Sequence, residues 1–103
     1  MPAPLLSRRD LEFYLYEMFK VEALATRERY EDHNRESFNA ALDIAEKIAE
    51  DYFVPIRKTV DLNQPDWDGE KVVMIPEIKT AYDAVAEAGL ICPAHRYELG
   101  GMQ

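Results

Sequence analysis

Cysteine and glycine are scarce in this sequence of 103 residues, which contains one cysteine and four glycines. One cysteine cannot form a disulfide within the chain, and such low cysteine usage is typical of proteins in the reducing cytosol. We therefore expect a cytoplasmic protein. Two of the glycines are adjacent, at Gly100 and Gly101, and the four cannot supply a G-x-G-x-x-G motif or a P-loop. A nucleotide held by a glycine-rich loop of this chain is excluded.

Positive charge and long apolar runs are also in short supply. The sequence has 12 lysines and arginines against 20 aspartates and glutamates, a formal net charge of −8 at pH 7. Nucleic-acid binding needs a basic surface, so the charge argues against it. The longest apolar runs, 13–16 and 72–75, are far shorter than the 18 or so residues of a spanning helix, and they predict no membrane span.

What the chain does contain is enough apolar residues for a packed core and a clear helical periodicity. Hydrophobic residues make up 48% of the sequence, and the length suits one domain or part of one. Apolar residues at helical spacing predict a first helix over about 8–20, with Ser7 as its N-cap, and a second over about 34–53. A third helix is predicted to begin at Pro76 and to end at Gly89.

The segments between these helices are charged, rich in turn formers or extended. Charged residues interrupt the apolar pattern from Val21 to Asp32, and Pro55 is expected to kink or end the second helix. Residues 61–70 are rich in turn formers, 71–75 form a short extended run, and 90–103 form a loop. The fold class is therefore all-α, a small helical domain of three or more helices with a short extended segment.

Few residues suggest chemistry when they are taken one at a time. The acidic loop from Asp61 to Glu70 fails the EF-hand pattern in both registers and is better interpreted as a solvated turn. Cys92 and His95 lack the further ligands of a zinc site, and we expect Cys92 to be a partly buried, inert thiol. His33 lies among charged residues and is expected at the surface. We expect no metal site.

The aromatic residues favour packing, either in a core or at an interface, over ligand stacking. They are concentrated in the first two helices, at Phe13, Tyr14, Tyr16, Phe19, Tyr52 and Phe53. Together the helices carry more apolar faces than a three-helix core needs. We therefore expect a piece of a longer protein, with part of its apolar surface covered by other domains.

An ordered set of short motifs covers nearly the whole chain. In sequence order they are Leu11-x-Phe13-x-Leu15, Ala45-x-x-Ile48-Ala49-Glu50-x-x-x-x-Pro55, Asp61, Asp68-Gly69-Glu70-Lys71-Val72, Pro76-x-x-x-x-Ala81-Tyr82, Glu87-Ala88-Gly89-Leu90 and Glu98-Leu99-Gly100-Gly101. In this order and spacing the sequence resembles the N-terminal helical domain of the acyl-CoA dehydrogenase family. It is most similar to the larger members, which carry an extra helical extension before that domain.

The resemblance implies an oxidoreductase with an N-terminal helical, a middle β and a C-terminal helical-bundle domain. Such flavoproteins of fatty acid metabolism use FAD to oxidise an acyl-CoA to the trans-2-enoyl-CoA. Residues 1–33 would form the helical extension and 34–103 the start of the N-terminal domain. The partners would be the middle and C-terminal domains, with acyl-CoA as substrate, in a homo-oligomeric parent.

The resemblance assigns no catalytic residue to this segment, because the family's base and most of its flavin contacts lie in the other two domains. The only role that it assigns here is that of a loop adjacent to the acyl pocket, consisting of Tyr97, Glu98, Gly100 and Gly101. The segment alone would be inactive and would bind no FAD. The alternative is a self-contained acidic helical module that binds a partner protein through its aromatic first helix.

Overall fold

The first helical segment begins where the sequence predicts. The computed structural model describes residues 6–103, and in it α1 (Arg8–Glu12) runs directly into a π-helical stretch, Phe13–Met18. The Ser7 side chain accepts a hydrogen bond of 3.2 Å from the backbone N–H of Asp10, which confirms Ser7 as the N-cap. Two 3₁₀ stretches follow, Val21–Thr26 and Glu28–Tyr30, where charged residues interrupt the apolar pattern.

The second helix, α2 (Arg35–Ile48), starts at a reciprocal cap between Asn34 and Ser37. The Asn34 side-chain oxygen accepts from the Ser37 N–H at 2.9 Å, and the Ser37 hydroxyl accepts from the Asn34 N–H at 2.9 Å. These bonds satisfy two of the N–H groups that a helix leaves unpaired at its start. Asn34 is therefore the reason that the helix begins where it does.

Pro55 does not end the helical path. After α2 the chain continues through a π-helical turn, Ala49–Phe53, and a 3₁₀ turn, Val54–Ile56, into α3 (Arg57–Leu62). Proline lacks an amide hydrogen and clashes with the preceding turn, so regular α-helical bonding cannot pass through it. The wider π-helical turn accommodates the ring, and helical structure extends nine residues beyond the predicted end at Phe53.

A small antiparallel hairpin joins α3 to the last helix. Strand β1 (Asp66–Trp67) pairs with β2 (Val72–Val73), and all four strand residues are exposed. β2 confirms the predicted extended run. Its partner β1 was not predicted, because two residues within a turn-rich stretch carry no periodicity. Asp68 holds the turn: its carboxylate accepts from the N–H groups of Glu70 at 2.8 Å and Lys71 at 2.9 Å.

The last helix, α4 (Pro76–Glu87), has proline as its first residue, as predicted. It ends at Gly89, whose φ of 77° lies in the left-handed region. The N–H of Leu90 bonds to the Val85 carbonyl at 3.1 Å and the N–H of Gly89 bonds to the Ala86 carbonyl at 3.0 Å. These two bonds form a Schellman motif, which confirms Gly89 as the end of the helix.

Two residues form the buried apolar core of the described part of the chain. Ala81 on α4 is 1% exposed, and Tyr16 in the first helical segment is 9% exposed. Tyr16 donates a hydrogen bond to the side-chain oxygen of Asn39, and the Arg35 guanidinium lies 4.1 Å from the centre of the Tyr16 ring. These contacts fasten the first helical segment to α2. α4 packs against α2 and the π-helical turn that follows it.

A salt-bridge cluster makes a second connection between the first helical segment and α2. Arg8 bonds to Glu46 at 2.7 Å and to Asp43 at 2.8 Å. The hydrogen bond to Glu46, partly offset by burial, raises the pKa of Arg8 above its usual value. Leu11 of the first helical segment and Leu42 and Ala45 of α2 lie beside this cluster, so charged and apolar side chains both line the junction of the two helices.

The molecule is flat and mostly helical (64%). It measures 52 × 37 × 18 Å, with a radius of gyration of 17.1 Å. A compact domain of this length would have a radius of about 13 Å. Its surface is 8270 Å², against about 5,900 Å² for a compact protein of the same mass. No described helix is long and apolar enough to cross a membrane.

The aromatic residues are largely uncovered. Of the six in the first two helical segments, Tyr16 is buried, whereas Phe19 is 67% and Tyr14 is 49% exposed. Large aliphatic side chains such as Leu62 at 70% are exposed as well. The prediction of more apolar faces than this chain can bury is therefore confirmed.

Candidate functional site

An apolar groove of about 700 Å³ lies beside the loop that the resemblance singles out, residues 97–101. It lies between α2 and the C-terminal segment, which we define as residues 93–103. Its lining is mainly aliphatic and aromatic: Leu24, Tyr30, His33, Ser37, Phe38, Ala40, Ala41, Ile44, Ala88, Leu90, Pro93, Ala94, Tyr97, Gly101, Met102 and Gln103.

One wall of the groove comes from the apolar stripe of α2. Phe38, Ala41 and Ile44 follow one another at three-residue spacing, which places them along one side of the helix. Ile44 is 48% exposed, so the described chain covers only about half of this side chain. The helical periodicity of the sequence places Phe38 and Ala41 on the apolar face of this helix but does not include Ile44, and it gives no sign that the face lines a groove.

The C-terminal segment forms the opposite wall and is an ordered turn. Gly100 has a φ of 87° and donates to the Tyr97 carbonyl at 2.9 Å, and Gly101 donates to the Arg96 carbonyl at 3.0 Å. A Cβ atom on Gly101 would overlap the carbonyl oxygen of His95. Both glycines are thus required by geometry, Gly100 for its positive φ and Gly101 for close backbone contact.

The four loop residues singled out in the sequence divide between two surfaces. Gly101 lines the apolar groove, and Tyr97 lines both this groove and a neighbouring polar cleft. Glu98 lines the same polar cleft, which also contains Arg29 and Asp32, and Gly100 contributes its backbone conformation. Partial burial and the negative charge of Asp32 raise the pKa of the Tyr97 hydroxyl. The structure brings the four residues together in one turn, as their proximity in sequence requires.

Three hydrogen bonds connect the C-terminal segment to residues 29–33. The Arg29 guanidinium donates to the Ala94 carbonyl at 3.0 Å, and the Gln103 side chain donates to the Arg29 carbonyl at 3.1 Å. The third joins His33 Nε2 to the Met102 carbonyl at 2.6 Å. The expectation of a surface histidine was wrong: His33 is half-buried, because its ring lies between α2 and the C-terminal segment.

The expectation of a partly buried Cys92 was also wrong, since this thiol is exposed. The residue follows the end of α4 in a stretch of bends, where no helix or strand packs over it. Within residues 6–103, no group of three or more histidine, cysteine, aspartate or glutamate side chains is arranged to hold a metal ion.

Sequence reasoning missed the walls of the groove, namely Phe38, Ile44, Leu90, Pro93 and Met102. For Phe38 the helical periodicity was a usable signal of an apolar face, whereas Ile44 lies outside the predicted stripe. Pro93 and Met102 lie in a loop without periodicity, so local patterns could not place them. Chemically, the groove offers apolar contact area with a few polar groups at its edge, which suits binding of an apolar group or side chains.

The fold and the groove together define an acidic, mostly helical chain with uncovered apolar surfaces. No protein-family model matches it, and no curated protein or solved structure matches it significantly.

Proposed function

We propose that this chain is the N-terminal segment of an FAD-dependent acyl-CoA dehydrogenase. Its role there is structural: it covers the other domains with its apolar faces and contributes the Tyr97–Gly101 turn beside the acyl pocket. FAD, acyl-CoA and the catalytic base belong to the middle and C-terminal domains. The parent is proposed to be a cytoplasmic homo-oligomer.

The imbalance between apolar content and buried core carries this proposal. Hydrophobic residues make up 48% of the chain, yet Tyr16 and Ala81 are the buried apolar residues among those described. Burial of apolar surface is the main favourable contribution to folding, at about 25 cal/mol per Å². A chain that leaves Phe19, Leu62 and Leu99 more than two-thirds exposed has surfaces suited to burial by further protein.

The turn that ends in two glycines supports the same proposal. Backbone at Gly101 lies against His95, so this turn is held close to the chain and presents Tyr97 to the groove. A rigid turn at the edge of an apolar groove is a suitable wall for a neighbouring pocket. The order of motifs along the sequence supplies the link to the acyl-CoA dehydrogenase family.

The test is to recover the native polypeptide from the cells that make it, with an antibody raised against the purified chain. The proposal expects a polypeptide several times heavier than 11.9 kDa that carries flavin absorbance and reduces a dye when an acyl-CoA is added. Recovery of a native polypeptide of the size of this chain, without flavin, would contradict it.

A pair of variants tests whether the exposed stripe of α2 contacts the rest of the enzyme. Ile44→Gln removes a 48% exposed apolar side chain from the groove, and we expect the parent to retain less FAD. Lys47→Gln introduces the same residue on the same helix, at a side chain that is 77% exposed and paired only with Asp51 among the described residues. We expect Lys47→Gln to retain FAD normally, because an exposed ion pair contributes little.

The interaction module remains the second candidate, and the same exposed apolar surface favours it. It would be established if the native polypeptide has the size of this chain and is recovered with a stoichiometric protein partner. In that case Phe19→Ser, at a residue that is 67% exposed and caps the end of the first helical segment, should weaken the complex.

A further inference from the structure

The C-terminal segment reaches the rest of the chain through residues that are far apart in sequence. Its hydrogen bonds to residues 29–33 join positions 65 to 74 residues apart. Two of the three, those that involve Arg29, are exposed to water, whereas the bond from His33 to the Met102 carbonyl is partly buried. A hydrogen bond shielded from water is stronger than an exposed one, so His33 makes the principal connection.

The carbonyl acceptor at Met102 indicates which nitrogen of the His33 ring carries a hydrogen. A carbonyl oxygen can only accept, so Nε2 must carry a hydrogen to form the 2.6 Å bond. The other ring nitrogen, Nδ1, lies 3.3 Å from the Ser37 hydroxyl, and the ring stacks on Phe38 with centroids 5.8 Å apart. The imidazole is therefore positioned by two residues of α2 and holds Met102 on its far side.

We propose that His33 is a latch: by holding the Met102 carbonyl it fixes the C-terminal segment against α2 and keeps the apolar groove formed. Without the bond to His33, only the two exposed bonds that involve Arg29 would connect the segment to residues 29–33. The segment would then move away from Phe38 more readily, and the groove would lose one wall. This inference goes beyond the proposed function and does not depend on it, because every contact lies within this chain.

Backbone hydrogen bonds within the C-terminal segment lie next to the bond between His33 and Met102. The N–H of Met102 bonds to the Pro93 carbonyl at 2.8 Å, and the N–H of Gln103 bonds to the His95 carbonyl at 3.0 Å. These two amides are protected from solvent exchange only while the segment keeps its turn. They therefore report on whether His33, through its bond to the Met102 carbonyl, stabilises this turn.

The experiment is amide hydrogen exchange, followed by NMR on the full 103-residue chain. In His33→Ala we expect exchange at the Met102 and Gln103 amides to accelerate about two- to thirteenfold, the range for loss of one ordinary hydrogen bond. The Leu90 amide, in the cap of α4, should change little. In the unmutated chain, nitrogen-15 spectra of the imidazole should show the hydrogen on Nε2 of His33.

Two further variants separate the latch from a general loss of structure. His33→Gln keeps an N–H donor that can reach the Met102 carbonyl, and it should restore slow exchange at Met102. His95→Ala removes the other imidazole, which lies in the C-terminal segment and makes no described side-chain hydrogen bond; it should leave exchange unchanged.

Several results would overturn the proposal. Fast exchange at Met102 and Gln103 in the unmutated chain would contradict it, as would unchanged exchange in His33→Ala. An effect of His95→Ala equal to that of His33→Ala, or a failure of His33→Gln to restore protection, would contradict it as well. None of these results bears on whether the parent protein binds FAD, so the two proposals can fail separately.

Discussion

Tyr16 shows how much of this fold depends on a single side chain. It is the buried aromatic residue of the described chain, and it contacts α2 through Asn39 and Arg35. Burial is the main reason that the pKa of its hydroxyl is raised. The neutral hydroxyl is the form that burial favours. Its contribution to the free energy of folding is therefore complete below the usual tyrosine pKa and is lost as the pH rises through the raised pKa.

We predict that Tyr16→Phe weakens the contact between the first helical segment and α2 by about 1 kcal/mol, the usual value of one hydrogen bond. The ring and its contact with Arg35 remain, so the effect isolates the hydroxyl. Amide exchange in α2 measures it, as about a fivefold increase in the rate of local opening. Tyr14→Phe, at a 49% exposed ring, is the matched control and should have no effect.

Asp68 organises the hairpin turn through the backbone N–H groups of Lys71 and Glu70, which lower the pKa of its carboxyl. A lowered pKa means that the charged form stabilises the turn above the usual aspartate pKa, and that this stabilisation is lost as the pH falls through the lowered value. We predict that the amide shifts of Glu70 and Lys71 move together on acidification. Asp68→Asn, whose carbonyl can still accept, should abolish the titration and keep the turn, whereas Asp68→Ala should lose the turn at every pH.

At the scale of elements, the ends of the helices are determined by local contacts. The reciprocal cap of Asn34 and Ser37 starts α2, and the Schellman motif at Gly89 ends α4. Pro55 shows the converse, because it changes the type of helix without ending the helical path. Hydrogen-bond geometry within a few residues explains each of these features.

Gly89→Ala is predicted to destabilise the end of α4 by about 1–2 kcal/mol, the cost of placing a Cβ in the left-handed region. The added atom would also lie 3.2 Å from Met102 Cε, a flexible group that can move. Exchange at the Leu90 amide, which bonds to Val85, is the measurement. Gly89→Asn serves as the control, since asparagine tolerates this conformation better and should cost less; equal losses would point to the contact with Met102 instead.

At the scale of the whole molecule, the chain is a flat layer with more apolar surface than it covers. We predict that small-angle scattering of the isolated chain gives a radius of gyration near 17.1 Å instead of the roughly 13 Å of a compact domain. The chain should also bind a hydrophobic dye. A radius near the compact value, with no dye binding, would show that the apolar faces close on one another without a partner.

The sequence by itself determined where the first helical segment, α2 and α4 lie, three of the helix ends and the net negative charge of this protein. Apolar periodicity located α2 and α4, and Ser7, Pro76 and Gly89 gave ends that the structure confirms. These features were predictable because each depends on hydrogen bonds or spacing within about one helical turn. Net charge is likewise a count that folding does not change.

Only the tertiary structure decided which apolar faces are buried, where the groove lies and what His33 does. Tyr16 and Phe19 belong to the same predicted aromatic set, yet one is 9% and the other 67% exposed. His33 meets Met102 across 69 residues of sequence. No periodicity connects such positions, because their contact is set by how separate elements pack, and the free energy of packing depends on all of them at once.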